Sequence, residues 1–308
     1  MIKSSLITRR HALAGAAALP LAAATVQTAR AAAPMMDAGS APYQRVKLGS
    51  FDVTTLLAGT ATRENPQTIF GLNVDEETFN AVSAEANLPV DAAQFFFTPT
   101  IVNTGAELVL FDTGLSGAGT TAALAAAGYT PDQVDIVVLT HMHGDHIGGL
   151  STDGTPTFPN ARYVTGSTEF DAWSGTGNEG FDTKVQPLAE QTTMIGDGDS
   201  VVSGITAMAA HGHTPGHMAY MIESDGKQLV LGADFANHYV WSLAHPDWEV
   251  TFDMDKAAAA ATRRTMLDML AADKIPFVGY HMPWPAFGYV EADGDNFAYV
   301  PHSYQLLL

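Results

Sequence analysis

Thr140-His141-Met142-His143-Gly144-Asp145-His146-Ile147-Gly148-Gly149 places three histidines and an aspartate within six residues, directly after the apolar run Ile136-Val137-Val138-Leu139. The run reads as a buried strand that ends where the histidines begin. Imidazole and carboxylate are the ligand types that suit a borderline divalent ion such as zinc. A turn at Gly144 lets His141 and His143 point one way while Asp145 and His146 reach another, which makes room for two ions. A loop with chance histidines is the poorer reading, because clustered imidazoles lose solvation without a common partner.

Working outward, Leu108-Val109-Leu110-Phe111 is a second strand, followed by Asp112-Thr113-Gly114 and a helix from Thr120 to Ala127 closed by Gly128. Strand, helix and strand within about thirty residues form a crossover unit, which implies parallel strands with a helix on one face. Upstream, Tyr43 to Leu57 reads as a hairpin about Gly49-Ser50. Residues 60–95 read as loop around one helix, Asp75 to Ala86, and Phe96 to Asn103 as one strand. Downstream come a short strand at Ala161 to Val164, a helix from Ser167 to Trp173 and an irregular excursion over 174–195. Strands follow at Ile205 to Ala209, His217 to Glu223 and Gln228 to Gly232, then a long helix, Asp255 to Lys274, and the strand Pro276 to Tyr280. No internal repeat is visible, and the order of elements suggests two sheets covered by helices.

Residues 1–31 stand apart. Lys3, Arg9 and Arg10, the apolar stretch Ala12 to Val26 and the small residues around Ala29-Arg30-Ala31 form an export-signal pattern. Its apolar part is short and alanine-rich, so no stable membrane anchor is expected. Thr8-Arg9-Arg10-His11-Ala12-Leu13 resembles the twin-arginine signal. The expected domains are therefore a signal over 1–31 and one enzyme-sized domain over 32–308, located in the periplasm. The chain has no cysteine, which excludes disulfides and thiolate ligands or nucleophiles. Its net charge is -19, and removing the four cationic and no acidic residues of the signal leaves -23. That sign repels nucleic-acid backbones, so no nucleic-acid partner is expected; the expected partner is a small-molecule substrate. A homodimer is compatible with the composition.

Three further strand ends carry ligand-type residues: His211-Gly212-His213-Thr214-Pro215-Gly216-His217, Gly232-Ala233-Asp234 and Gly279-Tyr280-His281. Together with His141-x-His143-x-Asp145-His146, their order and spacing resemble the metallo-β-lactamase fold superfamily. The similarity is greatest to the branch of methyl parathion hydrolase and its lactonase-like and arylesterase-like relatives. It extends through Asn103-Thr104-Gly105, Ala127-Gly128-Tyr129, His281 to Gly288 and Tyr299-Val300-Pro301, nearly all of the chain beyond the signal.

The resemblance implies an αββα sandwich of the α/β class and a site for two divalent ions, zinc foremost. His141, His143 and His213 would hold one ion, and Asp145, His146 and His281 the other, with Asp234 bridging. Two ions about 3.5–4 Å apart can share a hydroxide and clamp a developing oxyanion. The implied reaction is hydrolysis of an ester, lactone or phosphotriester, with Asp145 and Asp234 as the catalytic carboxylates. Asp112 is expected to fix the tautomer of a ligand histidine. His211 and His217 read as neighbours of the site, and His238, His245 and His302 as rim or surface. Phe97, Trp173 and Trp284 are candidates for an apolar substrate wall. Two features depart from better-known relatives: Asn237 stands where quorum-quenching lactonases have a tyrosine, and Asp234 where one β-lactamase class has cysteine. Two other activities share the residue pattern, a mononuclear iron oxidoreductase of the persulfide-dioxygenase type and a non-catalytic periplasmic metal-binding protein.

Overall fold

The apolar run ahead of the histidines forms the strand Ile136–Leu139, buried on both faces. Ile136 and Val138 join Val109, Phe111 and Val164 in one core. Val137 and Leu139 join Leu110, Leu124 and Tyr163 in another. A strand covered on both sides needs no polar alternation, hence the unbroken apolar run. It pairs in parallel with Leu108–Phe111 and Arg162–Gly166. The connecting helix spans Gly117–Ala126, three residues earlier than the sequence suggested, because the Ser116 hydroxyl caps it by accepting from the Gly119 N–H. The computed structural model describes residues 39–303, so the expected signal over 1–31 lies outside the described residues.

Two seven-stranded sheets lie face to face with helices outside them. The first runs Tyr43–Leu48, Phe51–Leu56, Thr100–Asn103, Leu108–Phe111, Ile136–Leu139, Arg162–Gly166 and Thr192–Ile195. The second takes its strands in chain order, from Ser200–Val202 to the hairpin Phe287–Asp293 and Asn296–Pro301. Phe111 of the first meets Tyr220 of the second edge to face, ring centroids 5.1 Å apart. The helix Lys256–Asp273 covers the second sheet with Met266, Leu267 and Leu270. This is the expected αββα sandwich.

Three details differ from the sequence reading. The expected strand Phe96 to Asn103 is two strands broken at Thr98-Pro99. Pro99 has no N–H for a ladder, while its carbonyl accepts from Leu56 N at 2.9 Å, so the chain changes partners there. Ala92–Phe97 pairs instead with Gly59–Glu64, outside both sheets, within the stretch that read as loop. That ribbon is held by an aromatic cluster of Phe70, Phe79, Phe95, Trp241 and Trp248. Finally, Thr192–Ile195 in the irregular excursion is an edge strand.

The glycines that end the histidine run have a steric reason. A Cβ on Gly149 would collide with the Thr113 carbonyl, and one on Gly148 with the Leu115 carbonyl. The histidine loop thus lies directly on the loop after Phe111. Gly149→Ala is expected to cost about 2–3 kcal/mol of unfolding free energy in a urea titration, from overpacking against rigid backbone. A loss under about 0.5 kcal/mol would show that the two loops are not in close packing.

Candidate metal centre

Every expected ligand lies where a strand ends or a loop leaves it. The chain turns at His143, and one helical turn, Gly144–Ile147, follows. That turn separates the side chains as the spacing suggested. His141, His143 and His213 form one cluster, Asp145, His146 and His281 another, and His141, His146 and Asp234 a third that links them. Asp234 follows the strand Lys227–Ala233, whose last residue has φ 48°, a left-handed conformation that re-aims the chain at the cost of local strain.

The nitrogens and oxygens converge too closely to satisfy one another. His143 Nδ1 lies 3.1 Å from His141 Nε2 and 2.9 Å from His213 Nε2. His213 Nδ1 donates to Asp253 Oδ1 at 2.9 Å, so its Nε2 presents a lone pair. His146 Nδ1 donates to Asp112 Oδ2 at 2.8 Å, and His281 Nδ1 to the Phe96 carbonyl at 2.8 Å. Each therefore aims an unprotonated Nε2 at the centre when an ion is bound. His146 Nε2 and Asp234 Oδ1 are buried without a hydrogen-bond partner, 3.4 Å apart. Buried polar atoms without partners are costly, and a divalent cation satisfies all of them together. The residues fit such an ion.

Electrostatics agree. Burial, then the neighbouring imidazoles, hold His141 well below the usual histidine range, and burial with His213 brings His143 to about 3. Both are neutral at pH 7, as metal ligands would have to be. Burial pushes Asp145 up, but His146 and His281 outweigh it and bring it down to about 2. Burial likewise opposes ionisation of Asp234, yet His281 and His146 hold it well below the carboxylate range. Burial lowers His281, but Asp234 and Asp145 raise it to about 10. His146 is likewise opposed by burial and raised well above its ordinary value by Asp234, Asp112 and Asp145. A cation entering between these groups displaces the protons those carboxylates attract.

Of the wall candidates, Phe97 lines the cleft above the ligands, together with Phe95, Leu115 and Phe252. The cleft measures about 290 Å³ and has Asp145, Asp234 and His281 in its floor and Arg63 in its lining. Trp173 stands beside it, edge-on to His143 with ring centroids 5.8 Å apart. Neither Trp173 nor Trp284 is among the lining residues, a correction to the sequence reading: Trp173 meets the His143 ring from outside the lining, and Trp284, two residues beyond the buried Met282, sits half-buried past the turn that delivers His281. His217 is buried, donates from Nδ1 to the Ala210 carbonyl and accepts the Asp234 N–H at Nε2. It holds the backbone of Asp234 in place.

Sequence reasoning missed three residues. Glu169 is fully buried and accepts from Met142 N, Trp173 Nε1, Thr214 Oγ1 and Gly216 N at 2.7–2.9 Å, joining the two histidine loops. Asp253 accepts from His213 on one oxygen and from Arg263 Nη2 on the other, at 2.7 Å. Arg263 is buried and also donates to the Phe235 and Pro246 carbonyls. Glu169 stood in an ordinary helix first turn, and Asp253 and Arg263 in no motif. Asn237, the noted departure, donates from Nδ2 to Asp234 Oδ2 at 3.0 Å.

Comparison with known proteins points the same way. The pattern described as the metallo-beta-lactamase superfamily matches residues 98–278. The uncharacterized protein YobT of Bacillus subtilis (strain 168) is 27% identical over 191 residues, 55% of this chain and 75% of that protein. An N-acyl homoserine lactonase of Bacillus thuringiensis is 30% identical over 108 residues, 35% of this chain and 40% of the lactonase, so the match spans less than half of that enzyme. Among solved structures, AidC, a dizinc quorum-quenching lactonase in complex with a product, superposes with a TM-score of 0.79 at 24% identity, covering 85% of this chain and 98% of AidC. At that identity the likeness is one of fold.

Asp253→Asn tests the tautomer argument. Weakening the acceptor of His213 is expected to lower zinc affinity about tenfold to a hundredfold, measured by chelator competition. Unchanged affinity in a folded variant would exclude Asp253 as an orienting group.

Proposed function

The chain belongs to the metallo-beta-lactamase superfamily, and from that premise we propose that it is a dinuclear metal-dependent hydrolase of small esters, lactones or phosphotriesters. The observation that carries the reading is the buried pair His146 Nε2 and Asp234 Oδ1, partnerless where three groups of ligand atoms meet. In the proposed arrangement His141, His143 and His213 hold one ion, Asp145, His146 and His281 the other, and Asp234 reaches both. Such ions supply Lewis acidity: they bring the pKa of water toward about 7 and polarise a carbonyl or phosphoryl oxygen.

The chain's own groups prepare the site for that chemistry. Asp112, Asp253 and the Phe96 carbonyl each accept a hydrogen bond from an Nδ1–H and leave Nε2 free. The Tyr280 hydroxyl holds the Asp145 carbonyl at 2.6 Å and so fixes the turn between the two ligand groups. Phe95, Phe97, Leu115 and Phe252 give an apolar wall that displaces water from around an acyl or leaving group. A lactone or aryl ester suits that wall, and the N-acyl homoserine lactonases among the relatives support this substrate class. Zinc is the proposed metal on the histidine-rich ligand set and on AidC's description as dizinc.

The same reading includes export to the periplasm, with the signal over 1–31 removed and the enzyme domain over 32–308. Its support is the twin-arginine-like start with the apolar stretch and small residues that follow it. No helix among the described residues is long and apolar enough to cross a membrane.

The test is a hydrolysis panel on metal-quantified protein: acyl-homoserine lactones, aryl esters, methyl parathion and a β-lactam. Two zinc equivalents per chain and turnover of a lactone, ester or phosphotriester, lost on chelation, are expected. Asp234→Ala should lower kcat/KM by more than about a hundredfold, beyond the effect of losing an orienting partner. A single iron with oxygen consumption and no hydrolysis would overturn the reading, as would tight metal binding with no turnover.

A further inference from the structure

A second cavity lies on the other side of His281. It measures about 230 Å³, and its walls include Leu88, Phe96, His238, Trp241, His281 and Pro283. The strand Ala92–Phe97 separates it from the metal cleft. Phe95 and Phe97 face the cleft, whereas Phe96, which points the other way along the strand, faces the cavity. No Lys, Arg, Asp or Glu lines it, so an ionic ligand would find no counter-charge there.

Of the polar side chains in its lining, Gln94 is engaged by the Thr62 hydroxyl and the Phe95 carbonyl, whereas His238 is poised to donate. His238 Nδ1 accepts from the Val240 and Trp241 amides, each at 3.1 Å, capping the helical turn Tyr239–Ala244. An imidazole that accepts twice at Nδ1 carries its proton on Nε2. Burial holds His238 down to about 3, so the ring stays neutral and the tautomer persists at ordinary pH. Among the described residues Nε2 has no hydrogen-bond partner, and the ring lines the cavity. His238 stacks on Trp241, centroids 4.1 Å apart at 15°, which fixes the direction of that N–H.

We propose that this cavity is a second ligand site, distinct from the metal cleft, for an uncharged monocyclic aromatic compound whose carbonyl oxygen accepts from His238 Nε2. Size supports that class: an apolar cavity on the order of 150 Å³ is enough for benzene, and the extra room here accommodates a short polar substituent. Phe96, Tyr239 and Trp241 supply aromatic surface. The site also touches the metal centre indirectly, because the Phe96 carbonyl is the acceptor that orients His281. A ligand packed on Phe96 and the back of His281 is therefore sensed by the ring that faces Asp145 and Asp234. The proposal does not depend on what the cleft hydrolyses.

The experiment titrates acetophenone into the zinc-loaded protein and follows indole and imidazole resonances by ¹H–¹⁵N NMR. Saturable shifts of the Trp241 indole and the His281 ring are expected. Ala92→Phe, which fills the cavity from a residue outside the metal site, should abolish them. His238→Asn keeps an acceptor for the Val240 and Trp241 amides at the Nδ1 position, but its shorter side chain places no donor at the Nε2 position, and should weaken binding about fivefold to tenfold. Ethylbenzene, which has no acceptor, should bind the unsubstituted protein more weakly by a similar factor. Absence of saturation, or undiminished binding to Ala92→Phe, overturns the site. Equal affinity for ethylbenzene, or for acetophenone in His238→Asn, overturns recognition by His238.

Discussion

The carboxylate of Glu169 sits with no solvent exposure between the two loops that carry most of the histidines. Burial pushes its pKa up, while hydrogen bonds from Thr214, Gly216, Met142 and Trp173 pull it back. A buried carboxylate is tolerated only while its donors stay in place, so the four donors and the acceptor constrain one another. Met142 lies between His141 and His143 on a loop leaving the first sheet, and Thr214 follows His213 on a loop leaving the second. Through Glu169 the ends of two sheets are held in one register. Three imidazole nitrogens then meet at about 3 Å, a distance that neither sheet alone sets.

Around that join, one arrangement recurs. Three histidines that face the centre with Nε2 have their other nitrogen tied to a group from a different element: His146 to Asp112, His213 to Asp253, His281 to the Phe96 carbonyl. His141 Nδ1 instead meets the hydroxyl of the adjacent Thr140 at 3.1 Å. The ties extend into the fold. Asp253 is itself neutralised by Arg263, whose other donors bind the Phe235 and Pro246 carbonyls. The buried pair Asp253–Arg263 thus belongs to the site as much as to the core. Removing one member would leave the other as an uncompensated buried charge, which costs far more than the pair contributes.

The ribbon Gly59–Glu64 with Ala92–Phe97 shows how a peripheral element can divide function. Its alternating side chains put Phe95 and Phe97 over the cleft with Asp145, Asp234 and His281 in its floor and Phe96 into the cavity behind His281. The strand therefore serves as a thin wall between two spaces of different character. The cleft has carboxylates and histidines in its floor, whereas the rear cavity has no Lys, Arg, Asp or Glu and offers mainly aromatic surface with His238 as a donor.

Much of this was readable along the chain. The continuous apolar runs, the crossover helix and the spacing of His141, His143, Asp145 and His146 are local properties, and they determined the sandwich and the first group of ligands. His213, Asp234 and His281 were readable because each follows an apolar strand and sits in a short motif. What the chain order could not convey is partnership across space. Glu169, Asp253 and Arg263 look like ordinary helix and loop residues, and only burial and hydrogen-bond partners from distant segments give them their roles. Trp284 resembled a wall residue by nearness to His281, but the turn beyond Met282 keeps it out of the cleft lining. His238 looked like rim until its backbone donors and its stacking on Trp241 were in view. The sequence determined which ligand types exist and the local order in which they appear, since both follow from residue chemistry and strand and turn periodicity. Tertiary structure alone decided which atoms face one another, because burial and hydrogen-bond geometry depend on segments that are remote in the chain.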